Sequence, residues 1–116
     1  MDTGMLVVTL LTEHTVCHAL PGPLLSALCV LNMLLLMEKD HVFVSREHVF
    51  SDFSITGMRN ERGVASSAKI TFNKPLTAVG KESTSFVVDH RAVEHIKTVG
   101  RLNTLRLCET PRSAKL

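Results

Sequence analysis

The sequence predicts an α+β fold, in which one apolar N-terminal helix precedes a small antiparallel β-rich region. Two observations support this fold class. All 13 Lys and Arg residues lie after Met37, and only Asp2 and Glu13 carry charge before it. Beyond that point apolar residues recur at every second position, which is typical of strands with one buried face. We therefore predict an apolar segment, residues 1–37, and a small β-rich domain, residues 38–116.

Length and composition exclude several classes of protein. A chain of 116 residues has room for one ordinary domain, and it is too short for a TIM barrel or a complete dinucleotide-binding enzyme. The net charge of +2 is small and dispersed, so no nucleic-acid partner is predicted. The cysteines, Cys17, Cys29 and Cys108, are widely spaced and argue against a disulfide framework or a zinc ribbon.

The first apolar run covers residues 5–12 (MLVVTLLT). Its β-branched residues are compatible with a buried strand, and its length is compatible with the hydrophobic part of a signal peptide. Cleavage would then follow Ala19, although Asp2 replaces the positive charge that such peptides carry at their start. Both alternatives remain open at this point.

The second apolar run, residues 24–37 (LLSALCVLNMLLLM), predicts a helix that begins after the break Pro21-Gly22-Pro23. This helix would be about 21 Å long, shorter than the hydrocarbon core of about 30 Å. It is apolar all round, so we expect either a core helix or a membrane-embedded segment. The residues expected to be buried in protein or membrane are Leu24, Leu28, Leu31 and Leu35.

Five strands are predicted from alternating apolar residues in the second segment. They are marked by Val42 and Val44, by Phe53 and Ile55, by Ala68, Ile70 and Phe72, by Phe86 and Val88, and by Leu102, Leu105 and Leu107. Residues 89–100 predict a short helix, with an elaborated loop as the alternative. In that helix Asp89 is the N-cap, Gly100 follows the C-terminus, and Ala92, Ile96 and Val99 share one face.

One weak metal site is suggested by His14, Cys17 and His18. Residues at i, i+3 and i+4 share one face of a helix and could supply three metal ligands. No fourth ligand is evident, and a polar connector between the two apolar runs is the preferred interpretation. We therefore predict no cofactor.

A second cluster, His90, Glu94 and His95, comes close to the inverted zinc-protease pattern H-x-x-E-H. Arg91 occupies the position of the first His, so the pattern is incomplete and a solvated helix face is expected. The chain also lacks a G-x-S-x-G elbow, a phosphate-binding glycine loop and an H-E-x-x-H sequence. A non-enzymatic protein is therefore predicted.

The C-terminal residues Ala114, Lys115 and Leu116 resemble the peroxisomal import tripeptide, whose type form is Ser-Lys-Leu. A terminal Leu with a free carboxylate suits capture by a receptor for chain ends. A peroxisomal location is therefore the alternative to a membrane-associated or cytoplasmic one.

Residues 41–44 (HVFV), 47–49 (EHV) and 51–53 (SDF) form one ordered series, and residues 64–70 (VASSAKI), 79–81 (VGK) and 85–89 (SFVVD) form a second. In this order they resemble the end of one filamin-type immunoglobulin repeat and the opening of the next. The prolines of that family's repeat end are replaced by Phe50 and Asp52. Over residues 39–116 the resemblance implies a partial immunoglobulin-like sandwich that binds partner peptides by strand addition.

Together these observations predict a non-catalytic interaction or accessory protein. Its partner would be another protein or a second copy of the chain, with the apolar N-terminal segment at a membrane as a further option. The alternative is a soluble peroxisomal protein imported through its C-terminal tripeptide.

Overall fold

The computed structural model describes residues 5–10, 17–37, 47–62, 65–99 and 105–110. These residues form seven strands and two helices. In chain order the elements are β1 (Met5–Leu10), β2 (Cys17–His18), α1 (Gly22–Met37), β3 (Glu47–Val49), β4 (Phe53–Arg59), β5 (Ala65–Ala78), β6 (Lys81–Val88), α2 (His90–Thr98) and β7 (Leu105–Thr110).

All seven described strands belong to one mixed sheet with the order β2-β7-β1-β6-β5-β4-β3. Strand β1 lies in the middle of this sheet, antiparallel to β7 and parallel to β6. In the parallel pair Val7 is opposite Val87 and Val8 is opposite Val88. The remaining neighbours are antiparallel.

The predicted fold class is wrong, although the β-rich character is confirmed. The helix is not N-terminal, because β1 and β2 precede it in the sequence and lie in the same sheet as the later strands. The sheet is mixed rather than antiparallel, and the described strands form one layer rather than an immunoglobulin-like sandwich. The apolar run at residues 5–10 caused the error, since its pairing with β6 connects residues about 80 positions apart and leaves no local signal.

One hydrophobic core lies between the sheet and both helices. Its sheet side is formed by alternate residues such as Val8, Ile70 and Phe86, which are fully buried. The intervening residues of β5 and β6, such as Thr71 and Ser85, lie on the opposite face and are partly exposed. The predicted boundary between residues 37 and 38 stays a prediction, but residues from both sides of it contribute to this core.

The helices begin where their sequences favour initiation. α1 starts at Gly22, two residues before the predicted start. Pro23 lies in its first turn, where the backbone N–H that proline lacks would have no partner within the helix. α2 starts after Asp89, whose side chain accepts a hydrogen bond from the backbone N–H of Ala92, as expected for an N-cap.

One sequence expectation needs correction, and others lie outside the described residues. Val99 does not share the face of Ala92 and Ile96, because α2 ends at Thr98; Val99 is half-exposed, and the buried face uses Val93 instead. The predicted first strand and the residues Leu102 and Gly100 lie outside the described residues.

Candidate interaction surface

Helix α1 carries no acidic or basic side chain over its 16 residues. The four leucines predicted to be buried, Leu24, Leu28, Leu31 and Leu35, lie on its inner side and pack in the core. Among the described residues, no helix is long and apolar enough to cross a membrane.

The opposite side of α1 is also apolar, and it is exposed. Leu25 is 38% exposed, Met33 57% and Leu36 62%, and the Cys29 side chain is exposed as well. Isolated exposed leucines are common on soluble proteins, but a contiguous apolar stripe marks an interaction site. We call six residues of this helix the outer face of α1: Leu25, Cys29, Asn32, Met33, Leu36 and Met37.

Four members of the outer face form a seam. Leu25, Cys29, Asn32 and Leu36 follow one another at intervals of four, three and four residues. This is the spacing at which helices pack side by side in coiled coils. The four residues therefore line up along one side of α1, where Leu25, Cys29 and Leu36 are exposed and Asn32 is partly exposed.

Asn32 is the polar member of this seam. Its Oδ1 atom is buried and has no hydrogen-bond partner among the described residues. An unsatisfied polar atom costs free energy. The Asn32 side chain as a whole is partly exposed, so its amide lies at the border between the core and the outer face.

Helix α2 shows what an ordinary surface helix looks like in the same molecule. Its outer side carries charged and polar residues, and the Lys97 Nζ atom lies 3.5 Å from Glu94 Oε2. His90 Nδ1 lies 3.3 Å from the carbonyl oxygen of Ser66. The solvated face predicted for His90, Glu94 and His95 agrees with these positions, since all three are at least partly exposed.

The residues of the suggested metal site are only partly described. His14 lies outside the described residues, His18 is exposed, and the Cα atom of Cys17 is opposite that of Cys108 in the β2–β7 pair. Within the described part of the chain, no group of three or more His, Cys, Asp and Glu residues could hold a metal ion. Ala114, Lys115 and Leu116 also lie outside the described residues.

Sequence reasoning missed the seam. It treated residues 24–37 as apolar all round, and this obscured which side would meet the sheet. The four-three-four spacing of Leu25, Cys29, Asn32 and Leu36 is the signal that could have identified it.

Comparison with family models, curated proteins and solved structures found no match to this chain. The resemblance of residues 39–116 to filamin-type repeats therefore stays a prediction.

Proposed function

We propose that this protein is a non-catalytic interaction protein whose outer face of α1 binds a second copy of the same chain. The observation that supports this is the exposed seam on a helix without charge. Apolar side chains at coiled-coil spacing release ordered water when another apolar helix covers them.

The absence of charge on the outer face of α1 favours a second copy of the chain as its partner. A surface without charged residues does not repel its own copy, and pairing two such surfaces removes no charge from water. A two-fold symmetric dimer presents the same patch on both subunits. The outer face of α1 can therefore pair with the same face of a second copy, and no other helix or strand is needed for this contact.

Asn32 gives a second reason. In a parallel pair of α1 helices, Asn32 lies beside Asn32 of the partner subunit, and in an antiparallel pair it lies beside Cys29 of the partner subunit. Each neighbour offers a polar group, an amide or a thiol, to the side-chain amide of Asn32. Polar residues in such seams fix the register and number of helices.

We expect a weak and reversible dimer. α1 is about 24 Å long, and one helix face covers only part of the roughly 800 Å² that each partner buries in a stable complex. The dimer fraction should therefore rise with protein concentration.

Sedimentation velocity on the full chain tests the proposal. The variant Leu36→Lys places a charge in the seam. Because Leu and Lys are both good helix formers, the helix itself should persist. We expect this variant to stay monomeric at concentrations where the unmodified chain dimerises. The matched control is Val49→Lys, which alters a 73% exposed residue on the edge strand β3 and should leave dimerisation unchanged.

Cys29 supplies an independent readout. Because helices pack 8–10 Å apart, a short bismaleimide should link the two Cys29 thiols of a dimer, and Cys29→Ala should abolish the link. A monomer at every concentration contradicts the proposal, as does a dimer that Val49→Lys disrupts instead. A monomer that binds lipid vesicles through Leu36 would assign the outer face to a membrane surface.

A further inference from the structure

A cleft of about 360 Å³ lies between the start of α1 and the strands β4 and β5. Phe53, Phe72 and Leu76 contribute apolar side chains to its lining, and Ser26 of α1 contributes a hydroxyl group. Asp52 and Lys74 add one negative and one positive side chain to the lining. The volume lies at the lower end of the range for small-molecule sites, about 300–1,000 Å³.

A large bulge in β5 creates this cleft. The pairing of β5 with β6 shifts between Thr71, which is opposite Ser85, and Leu76, which is opposite Ser83. Residues 72–75 therefore lie opposite a single residue of β6, while Phe72 keeps its pairing with Phe53 of β4 on the other side. Bulges of this kind re-aim side chains and are frequent beside functional sites.

The bulge is held in place by Asn73. Its backbone N–H donates to the Asp52 carbonyl oxygen at 3.0 Å, and its Nδ2 donates to the Ser51 carbonyl oxygen at 2.7 Å. These bonds tie the bulge to the turn between β3 and β4. The cleft is therefore preformed, so a ligand would not have to meet the entropic cost of ordering it.

Aromatic rings form a continuous series from the protein surface to the core. The ring centroids of Phe50 and Phe53 are 5.1 Å apart, those of Phe53 and Phe72 5.7 Å, and those of Phe72 and Phe86 5.9 Å. Such spacings are typical of stabilising aromatic pairs. Phe53, which is partly exposed, and the edge of the largely buried Phe72 both line the cleft, so another ring could join the series beside Phe53.

The two charges in the cleft are not paired with each other. Within the described part of the chain, Asp52 and Lys74 make no ion pair with one another or with any other side chain. Both are exposed at the rim, so each keeps its charge available to a ligand. A molecule that carries a carboxylate and an ammonium group would satisfy both, whereas a molecule with one charge would satisfy only one.

We propose that the cleft binds a small aromatic zwitterion of the α-amino acid class. The ring of the ligand packs against Phe53 and Phe72, its carboxylate pairs with Lys74, and its ammonium group pairs with Asp52. This site is separate from the outer face of α1, and its test does not depend on dimerisation.

Titration of the full chain followed by NMR amide shifts tests the site with three probes. Phenylalanine carries both charges, phenethylamine carries only the ammonium group, and N-acetylphenylalanine carries only the carboxylate. We expect phenylalanine to bind most tightly and to shift the amides of Phe53, Phe72 and Asn73. Each charge-assisted hydrogen bond lost should weaken binding about tenfold or more.

Two variants assign the charges. Lys74→Met should weaken binding of phenylalanine and leave phenethylamine unaffected, because only phenylalanine has a carboxylate. Asp52→Asn should weaken phenylalanine and leave N-acetylphenylalanine unaffected. The matched control is Lys69→Met, which removes an exposed cation on the opposite face of β5 and should change nothing.

Three results would overturn the inference. One is the absence of amide shifts at phenylalanine concentrations up to about 10 mM, the weak end of measurable affinity. Another is equal binding of the three probes. The third is weakening by Lys69→Met as strong as that by Lys74→Met. Circular dichroism spectra identical to that of the unmodified chain exclude misfolding of the variants.

Discussion

The turn between β5 and β6 consists of two residues, Val79 and Gly80, and both have positive φ angles, 46° and 77°. Two-residue hairpin turns with this geometry match the twist of the flanking strands. A β-branched residue rarely adopts such a φ angle, so Val79 is strained. Its side chain packs against the edge of the core, and this contact offsets part of the strain.

Gly80 and Gly22 form a matched pair for testing backbone conformation. A Cβ atom added at either position meets no atom within 4 Å outside the neighbouring residues, but Gly80 has a positive φ angle and Gly22 does not. We expect Gly80→Ala to lower the free energy of unfolding by about 1 kcal/mol, because alanine disfavours the positive φ angle. Gly22→Ala should change it by less than about 0.5 kcal/mol, because the lower entropy of the unfolded chain is offset by the restriction that Pro23 places on the residue before it.

Urea unfolding at one fixed protein concentration measures both changes. A stabilising Gly80→Ala would show that the turn does not have the geometry described. At the residue scale the sequence was informative for Gly80, a typical turn residue. It was not informative for Val79, because a β-branched residue predicts extended backbone and only the closing of the hairpin imposes another conformation.

Helix α2 depends on its first hydrogen bonds. The Asp89 Oδ1 atom accepts from the Ala92 N–H at 2.9 Å, and the Asp89 backbone N–H donates to the Val8 carbonyl oxygen at 3.2 Å. The first bond caps the helix and the second ties its start to β1. Asp89 therefore connects the helix to the middle of the sheet.

We expect Asp89→Ala to lower the free energy of unfolding by about 1 kcal/mol, because the Ala92 N–H loses its acceptor. Asp89→Asn should have little effect, since Asn caps helices as well as Asp does. Thermal melts of the two variants measured side by side check this difference. Equal destabilisation by both variants would mean that the carboxylate charge, rather than the cap, is what matters.

Local patterns were most informative at the scale of elements. The alternation at Phe53 and Ile55 lies in β4, and that at Phe86 and Val88 lies in β6. Residues 73–75 (NKP) have a composition typical of a turn, but they lie in a bulge inside β5 rather than at the end of a strand, because β5 resumes its pairing at Leu76. The cleft depends on this bulge, so its position could not be predicted from the sequence.

The whole molecule is organised around β1. This strand comes first among the described elements, yet it lies between β6 and β7 and closes the middle of the sheet. Local alternation cannot reveal such an arrangement, because the pairing connects distant parts of the chain. The outer face of α1 could not be identified from the sequence for a related reason. In a helix that is apolar all round, only packing against the sheet determines which side is buried.

A chain limited to residues 38–116 tests this organisation. It lacks seven residues of the core, namely Leu6, Val8, Leu24, Ala27, Leu28, Leu31 and Leu35. At about 2 kcal/mol for each of the six larger side chains, the loss is about 12 kcal/mol, which is comparable to the stability of a typical domain. We therefore expect this fragment to melt without cooperativity in circular dichroism.

Adding a peptide of residues 1–37 should restore a cooperative melt, because β1 can then re-enter the sheet and α1 can cover it. The matched control is the same peptide with Val8→Asp, which places a charge at a fully buried position and should not restore folding. If residues 38–116 alone melted cooperatively, the sheet would not require its central strand. The predicted division at residue 37 would then describe an independently folding domain.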